Sequence, residues 1–298
     1  MLPGMAGRPR IAIVGAGNLG TALAVALHRA GYVIDAIVTR KVSKSRASAR
    51  KLAKQVNARL LFALEELKGQ VVWFCVPDAE IARAAASVST KFQAKGKIAL
   101  HSSGALGSDE LDALRDRGAA VASVHPLMTF VRGSRPPFAG VPFAIEGDRK
   151  AVQVARQIVL DLGGNPYSIR KKDKAAYHAW GAFTSPLLTA LLATGEGVAM
   201  MAGVDRKSAR KRMMPILLQT LANYASFGPA GAFSGPIVRG DVDTVKRHLG
   251  TLRKLPRALD VYLALAGSAL KSLPTKSTNE LKEALGLAGD RLAKAPHH

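Results

Sequence analysis

Residues 10–31, "RIAIVGAGNLGTALAVALHRAG", restrict the fold more than any other part of the chain. A short apolar run meets Gly15-Ala16-Gly17-Asn18-Leu19-Gly20 and continues as an Ala- and Leu-rich helix, with a second strand, "YVIDAIVT", directly behind it. Three glycines at this spacing say little alone, but between a strand and a helix they are the fingerprint of a dinucleotide-binding turn. Gly15 permits the tight turn, Gly17 lets the backbone approach a pyrophosphate, and Gly20 lets the helix pack on the sheet. The helix N-terminus then offers unpaired N–H groups to the phosphates. Gly15, Gly17, Asn18, Leu19 and Gly20 are therefore the expected pyrophosphate-binding residues.

The end of the second strand bears on which dinucleotide fits. A free ribose is normally met there by Asp or Glu. Here the strand ends in Thr39-Arg40-Lys41, with Ser43, Lys44, Ser45 and Arg46 close behind. Cations and hydroxyls neutralise and hydrogen-bond a 2′-phosphate that a carboxylate would repel. NADPH is expected over NADH, with Thr39, Arg40, Lys41 and Ser43 as its contacts. Asp35 falls inside the strand rather than at its tip.

The alternation of strands and helices continues through "QVVWFCVPDAEIARAA", "KIALHSSGALGSDELDALRDRG", "AAVASVHPLMTF" and "VPFAIEGDRKAVQVARQIVLDLGGNPYSI". Apolar runs alternating with helices imply a parallel sheet covered on both faces. From Lys171 onward the pattern is helix after helix, broken at Pro186. The fold class expected is α/β: an N-terminal Rossmann doubly wound parallel sheet, residues 1–168, followed by an all-helical substrate and dimerisation domain, residues 169–298. Ligands of such sheets bind outside the carboxyl ends of the strands. His101-Ser102-Ser103 stand at one such end, and His125 at another.

Charge and cysteine usage narrow the partners. Lys and Arg number 43 against 21 Asp and Glu, a net charge of +22 that favours anionic partners such as nucleotides and acidic metabolites. Aromatics are only 5% and do not interleave with the basic runs, so any nucleic-acid contact is expected to be of the nonspecific, phosphate-borne kind. The lone Cys75 reads as a small buried hydrophobe of a cytoplasmic protein. No export signal is legible at the N-terminus. The most apolar stretch, "AWGAFTSPLLTALLATGEGVAMMAGV", carries Glu196 and several glycines, and reads as a buried core helix rather than a membrane span.

Six motifs in order carry a resemblance: GAGNLG at 15–20, VPD at 76–78, HSSGAL at 101–106, HPLMTF at 125–130, KAAYH at 174–178 and GPIVRGD at 235–241. Over about residues 10–270 the chain resembles Rossmann-like oxidoreductases whose C-terminal half is catalogued as a domain of unknown function. These are relatives of pyrroline-5-carboxylate reductase and of the 6-phosphogluconate and hydroxyisobutyrate dehydrogenases. The resemblance implies an NAD(P)-binding domain with Val76 and Pro77 beside the cofactor, a helical domain used in a homodimer, and reduction of a small carbonyl or imine. One departure stands out: Ser185-Pro186 replaces the Ser-Asn common on the first long helix of such proteins, and Pro lacks the Asn side chain's donor and acceptor.

Hydride delivery to a carbonyl leaves negative charge on oxygen, which a proton donor must meet. Lys174 and His178, four apart on an expected helix, share a face and are the candidates for that proton. His101, Ser102 and Ser103 would line the nicotinamide end, His125 would reach the substrate, and Arg239 could fork onto a substrate carboxylate. Strand-end histidines that only brace local backbone, turn serines and an Arg239 paired elsewhere are the plainer alternatives. No GxSxG elbow supports a hydrolase, and no paired ligand spacing such as HxxxH supports a metal. The expected activity is NADP-dependent reduction of a small anionic 2-oxo acid or imine. The rival is a non-catalytic NADPH-sensing or nucleic-acid-docking protein on the same scaffold.

Overall fold

The computed structural model describes residues 7–40, 46–62, 67–134 and 136–287. It divides into two compact units, residues 1–185 and 186–298. The boundary therefore falls after the first helix beyond Lys171 rather than at residue 169, because that helix packs on the sheet unit.

The first unit opens with β1 (Ile11–Val14), α1 (Asn18–Arg29), β2 (Ile34–Thr39), α2 (Arg46–Gln55), β3 (Arg59–Phe62) and β4 (Val71–Phe74). It continues with α3 (Ile81–Ser89), β5 (Ile98–His101), the one-turn α4 (Asp112–Arg115), β6 (Ala120–Pro126), β7 (Pro142–Gly147), α5 (Arg149–Asp161), β8 (Asn165–Ser168) and α6 (Lys174–Thr184). The strands form one sheet in the order β3-β2-β1-β4-β5-β6-β7-β8. Every neighbouring pair is parallel except β6 and β7. Alternation along each central strand explains the two layers. Ile11 and Ile13 of β1, with Val71 and Trp73 of β4, face a core shared with α1, α2 and α5. Ala12 and Val14, with Val72 and Phe74, face a second core closed by α3 and α4. Each fully buried large side chain contributes about 1.5–3 kcal/mol.

Two features correct the sequence reading. The sheet is not wholly parallel: among the described residues the segment between β6 and β7 holds no helix, and without a crossover the chain returns antiparallel. The edge strand β3 was not anticipated, since its four residues alternate only weakly between buried and exposed.

Asp35 near the start of β2 is buried and accepts from Arg10 at 3.1 Å, Arg59 at 3.0 Å and the N–H groups of Lys68 and Gly69 at 3.2 Å. It staples the amino end of the strands and is remote from any cofactor at the carboxyl end.

The second unit is helical: α7 (Pro186–Met201), α8 (Arg206–Ala232, bent where Gly228 leaves helical geometry), α9 (Pro236–Arg239), α10 (Val242–Leu252), α11 (Pro256–Ser272) and α12 (Thr278–Ala284). Pro186 opens α7 instead of kinking a longer helix, because its ring suits a first helical turn. Asp241 caps α10 by accepting from the Thr244 N–H at 3.0 Å. The unit's own core is small, centred on Val245, Ala266, Leu270, Leu281 and Leu285. The expectation that the apolar α7 is a core helix fails within the chain: only Glu196 is buried there, held by a forked bond from Arg210 at 2.7 and 3.1 Å. Among the described residues no single helix is long and apolar enough to cross a membrane.

Candidate functional site

The loops after β1 and β4 bound a cavity of about 470 Å³. Strand order reverses between these two strands, which is where open α/β sheets bind ligands. Of the expected cofactor contacts, Gly15, Gly17, Thr39, Arg40, Val76 and Pro77 line it. Gly15 sits at φ +106°, a turn that a Cβ would drive into the Cys75 carbonyl. Gly20 lies against the Gly15 backbone, so helix and loop close up as foreseen, and space opens where a Gly17 side chain would point. That space, beside the N-terminus of α1, is what a pyrophosphate needs.

Asn18 turns away from the cavity. Its amide donates to the Phe130 carbonyl at 3.1 Å, tying the glycine loop to the segment after β6. Leu19 packs on the core, Lys41 and Ser43 lie outside the described residues, and Arg40 is exposed at the rim.

At the carboxyl ends of β5 and β6, the structure separates groups that the sequence clustered. His101 is fully buried. Its Nε2 donates to the Gly107 carbonyl at 2.8 Å and its Nδ1 accepts from the Ser103 N–H at 3.1 Å. Both ring nitrogens are thus spent on backbone, and burial pushes the imidazole down to about 4. This corrects the catalytic expectation: His101 braces the turn and has no nitrogen for a substrate. Ser103 is likewise occupied, donating to Asp78 at 2.8 Å and accepting from the N–H groups of Ala105 and Leu106. Ser102, partly exposed, accepts from Trp73 Nε1 at 2.8 Å.

Lys174 is only 1% exposed. Its ammonium donates to Ser123 Oγ at 2.7 Å and to the Ser103 carbonyl at 3.1 Å. Burial draws its pKa below the usual lysine range, while the carboxylates of Glu146 and Asp78 pull the other way. Lys174 bolts α6 onto the strand ends and cannot itself reach a substrate, so its expected role as proton carrier gives way to a positioning one.

His178, one helical turn on, is exposed, and its Cδ2 edge lies against Gly104 together with the Cε1–Nε2 edge of His125. The two imidazoles stand 6.5 Å apart, nearly perpendicular. A Cβ on Gly104 would come within 2.9 Å of both rings, so only glycine leaves room for the pair. His125 Nδ1 lies 2.7 Å from the buried Tyr177 hydroxyl. Burial first, then the cationic Lys174 and the other two histidines, push His125 down to about 4, so it is neutral at ordinary pH. The Tyr177 hydroxyl also meets Tyr167; if it donates to Nδ1, the ring proton of His125 rests on Nε2, toward Gly104. Tyr177 is the site residue that sequence reasoning missed; its position three residues beyond Lys174 on the same helix was the available signal.

Arg239 ends α9 in the helical unit and is exposed, near Asp241. Among the described residues no group of three or more His, Cys, Asp or Glu is arranged to hold a metal ion.

A glycine-turn cavity at the switch point of a doubly wound sheet defines a Rossmann-like protein. Residues 5–126 match the model of a Rossmann-like domain, and residues 141–269 match the domain of unknown function DUF2520, the pairing that the six motifs resemble. Among solved structures, BF3122 of Bacteroides fragilis, named as an NADP oxidoreductase, is 22% identical with a TM-score of 0.73, covering 87% of this chain and 97% of its own. An imine reductase from Myxococcus stipitatus in complex with NADP⁺ is 16% identical with a TM-score of 0.63, covering 89% and 95%. A reductive aminase from Aspergillus terreus, in complex with NADPH and ethyl-5-oxohexanoate, is 16% identical with a TM-score of 0.62, covering 89% and 94%. At these identities the likeness is one of fold. No curated protein matches the chain in sequence.

Proposed function

We propose that the chain is an NADP-dependent oxidoreductase that reduces a small anionic 2-oxo acid or imine by hydride transfer. The observation that carries this reading is the switch-point cavity, with Gly15 and Gly17 at its floor and Thr39 and Arg40 at its rim. The residues fit the cofactor: the space beside Gly17 suits a pyrophosphate, and the guanidinium of Arg40 suits a 2′-phosphate. From β2 to β5 there are three strand spacings, about 14 Å, so a dinucleotide anchored at Arg40 extends toward the ends of β5 and β6. The NADP⁺ and NADPH bound to the imine reductase and the reductive aminase support the same reading.

A bound reduced nicotinamide supplies the hydride. The protein's part is to meet the charge that then develops on the substrate. Neutral His125, held by Tyr177, presents an Nε2 proton as a hydrogen-bond donor, and exposed His178 delivers the proton. Burial, reinforced by the cationic Lys174, keeps His125 neutral. Arg239 is retained as the proposed partner of a substrate carboxylate.

A homodimer belongs to the proposal. Ile216 and Phe227 of α8 are each 68% exposed, and Leu218, Leu221 and Tyr224 are exposed beside them. Apolar surface on this scale marks an interaction site.

Fluorescence titration with NADPH and NADH near 0.15 M salt, where loose phosphate attraction is screened, tests the reading. Preferential NADPH binding, followed by turnover with small oxo acids or imines, is the expected result. Binding of neither nucleotide would overturn it and favour a role for the basic surface.

A further inference from the structure

The rim of the cavity holds three charges, of which only one was anticipated. Arg40, at the tip of β2, and Arg83, on α3, both line the cleft, and Glu80 stands between them. The Glu80 carboxylate pairs with the Arg83 guanidinium, and its Oε2 also lies 4.0 Å from Arg40 Nη1. Arg83 holds Glu80 below the usual carboxylate range, so this acid is ionised at neutral pH. Glu80 reaches the cleft from the β4 side, whereas the acid that takes a ribose hydroxyl is expected at the end of β2, where this chain has Arg40.

We propose that Glu80 is a built-in counter-ion for the Arg40–Arg83 pair, displaced when a nucleotide 2′-phosphate enters, so that Arg83 and Glu80 together set the cofactor preference. This rests on the dinucleotide reading above. Two guanidiniums facing one carboxylate carry a net positive charge that a single carboxylate does not discharge. A phosphate monoester brings about −1.5 to −2 charges and three acceptor oxygens, which match two planar forks better than one carboxylate does. A 2′-hydroxyl brings no charge, so it gains nothing by displacing Glu80. The acid thus keeps the two cations from repelling each other until a 2′-phosphate displaces it.

The probes are 2′,5′-ADP and 5′-AMP, which carry the adenosine end without the nicotinamide. Both are titrated calorimetrically near 0.15 M salt into the wild type, Glu80→Gln and Arg83→Ala. Removing the competing carboxylate should tighten 2′,5′-ADP about fivefold in Glu80→Gln. Losing a charge-assisted donor should weaken 2′,5′-ADP about tenfold in Arg83→Ala. The ratio of 2′,5′-ADP to 5′-AMP affinity should therefore rise in Glu80→Gln and fall in Arg83→Ala, since 5′-AMP has no 2′-phosphate for either residue to meet. A gain of affinity cannot come from misfolding, so Glu80→Gln is the decisive arm. If that variant leaves 2′,5′-ADP unchanged, or weakens both probes alike because Glu80 holds the ribose, the proposal is overturned. If the wild type binds neither probe, the dinucleotide reading itself fails and takes this inference with it.

Discussion

The Tyr177 hydroxyl lies 2.7 Å from His125 Nδ1, joining α6 to the carboxyl end of β6. That contact holds the orientation of the imidazole that shares Gly104 with His178. Tyr177→Phe keeps the ring and loses the donor. Turnover should fall about tenfold while NADPH affinity holds, because a misoriented donor costs rate and not cofactor binding. Nitrogen NMR of the His125 ring should show a mixture of tautomers in the variant. Unchanged turnover with a single tautomer would remove Tyr177 from the site.

His101 and His125 are held near 4, against about 6.5 in an unfolded chain. Between those values they are neutral in the fold and take up protons on unfolding. The unfolded state then binds more protons, so stability should fall as pH drops from 6.5 toward 4 and stay level, for these groups, above 6.5. Each is worth up to about 3 kcal/mol at the acid end. Urea unfolding of the wild type and His101→Asn across this window measures the slope, and the variant should lose about one proton's share. An identical slope would mean that His101 already charges in the fold.

Two glycines of the same loop should respond differently. Gly15→Ala meets both a positive φ and the Cys75 carbonyl, and should cost about 2 kcal/mol or more, visible as a lowered Tm. Gly17→Ala has nothing within 4 Å of its new methyl group and should leave the Tm in place. Its effect should appear in nucleotide affinity instead, since the methyl group occupies the space assigned to the pyrophosphate.

The exposed apolar face of α8 gives a test of assembly. Light scattering on the wild type should report a dimer, and Ile216→Asp with Phe227→Asp should shift it toward monomer, because each side chain is 68% exposed in the single chain. A monomeric wild type would leave that face to another partner.

Local signals were readable from the sequence. The glycine turn needs only a strand before it and a helix after it, so the strand, turn and helix around Gly15 and Gly17 were legible, as was the helix break at Pro186. The antiparallel β7 is written only as a missing helix between two strands, and β3 as four residues with little contrast.

What only the tertiary structure decided is which polar groups are free. The sequence by itself established a Rossmann-like sheet, its cofactor turn and a histidine-rich strand end, because those depend on neighbours in the chain. His101, Ser103 and Lys174 look as reactive in the sequence as His125 and His178 do. Their partners, Gly107, Asp78 and Ser123, come from other turns and strands, and those contacts occupy both ring nitrogens of His101, the Ser103 hydroxyl and the buried Lys174 ammonium. A buried polar group must be satisfied by whatever the fold brings beside it, and that is a property of the packing rather than of the residue.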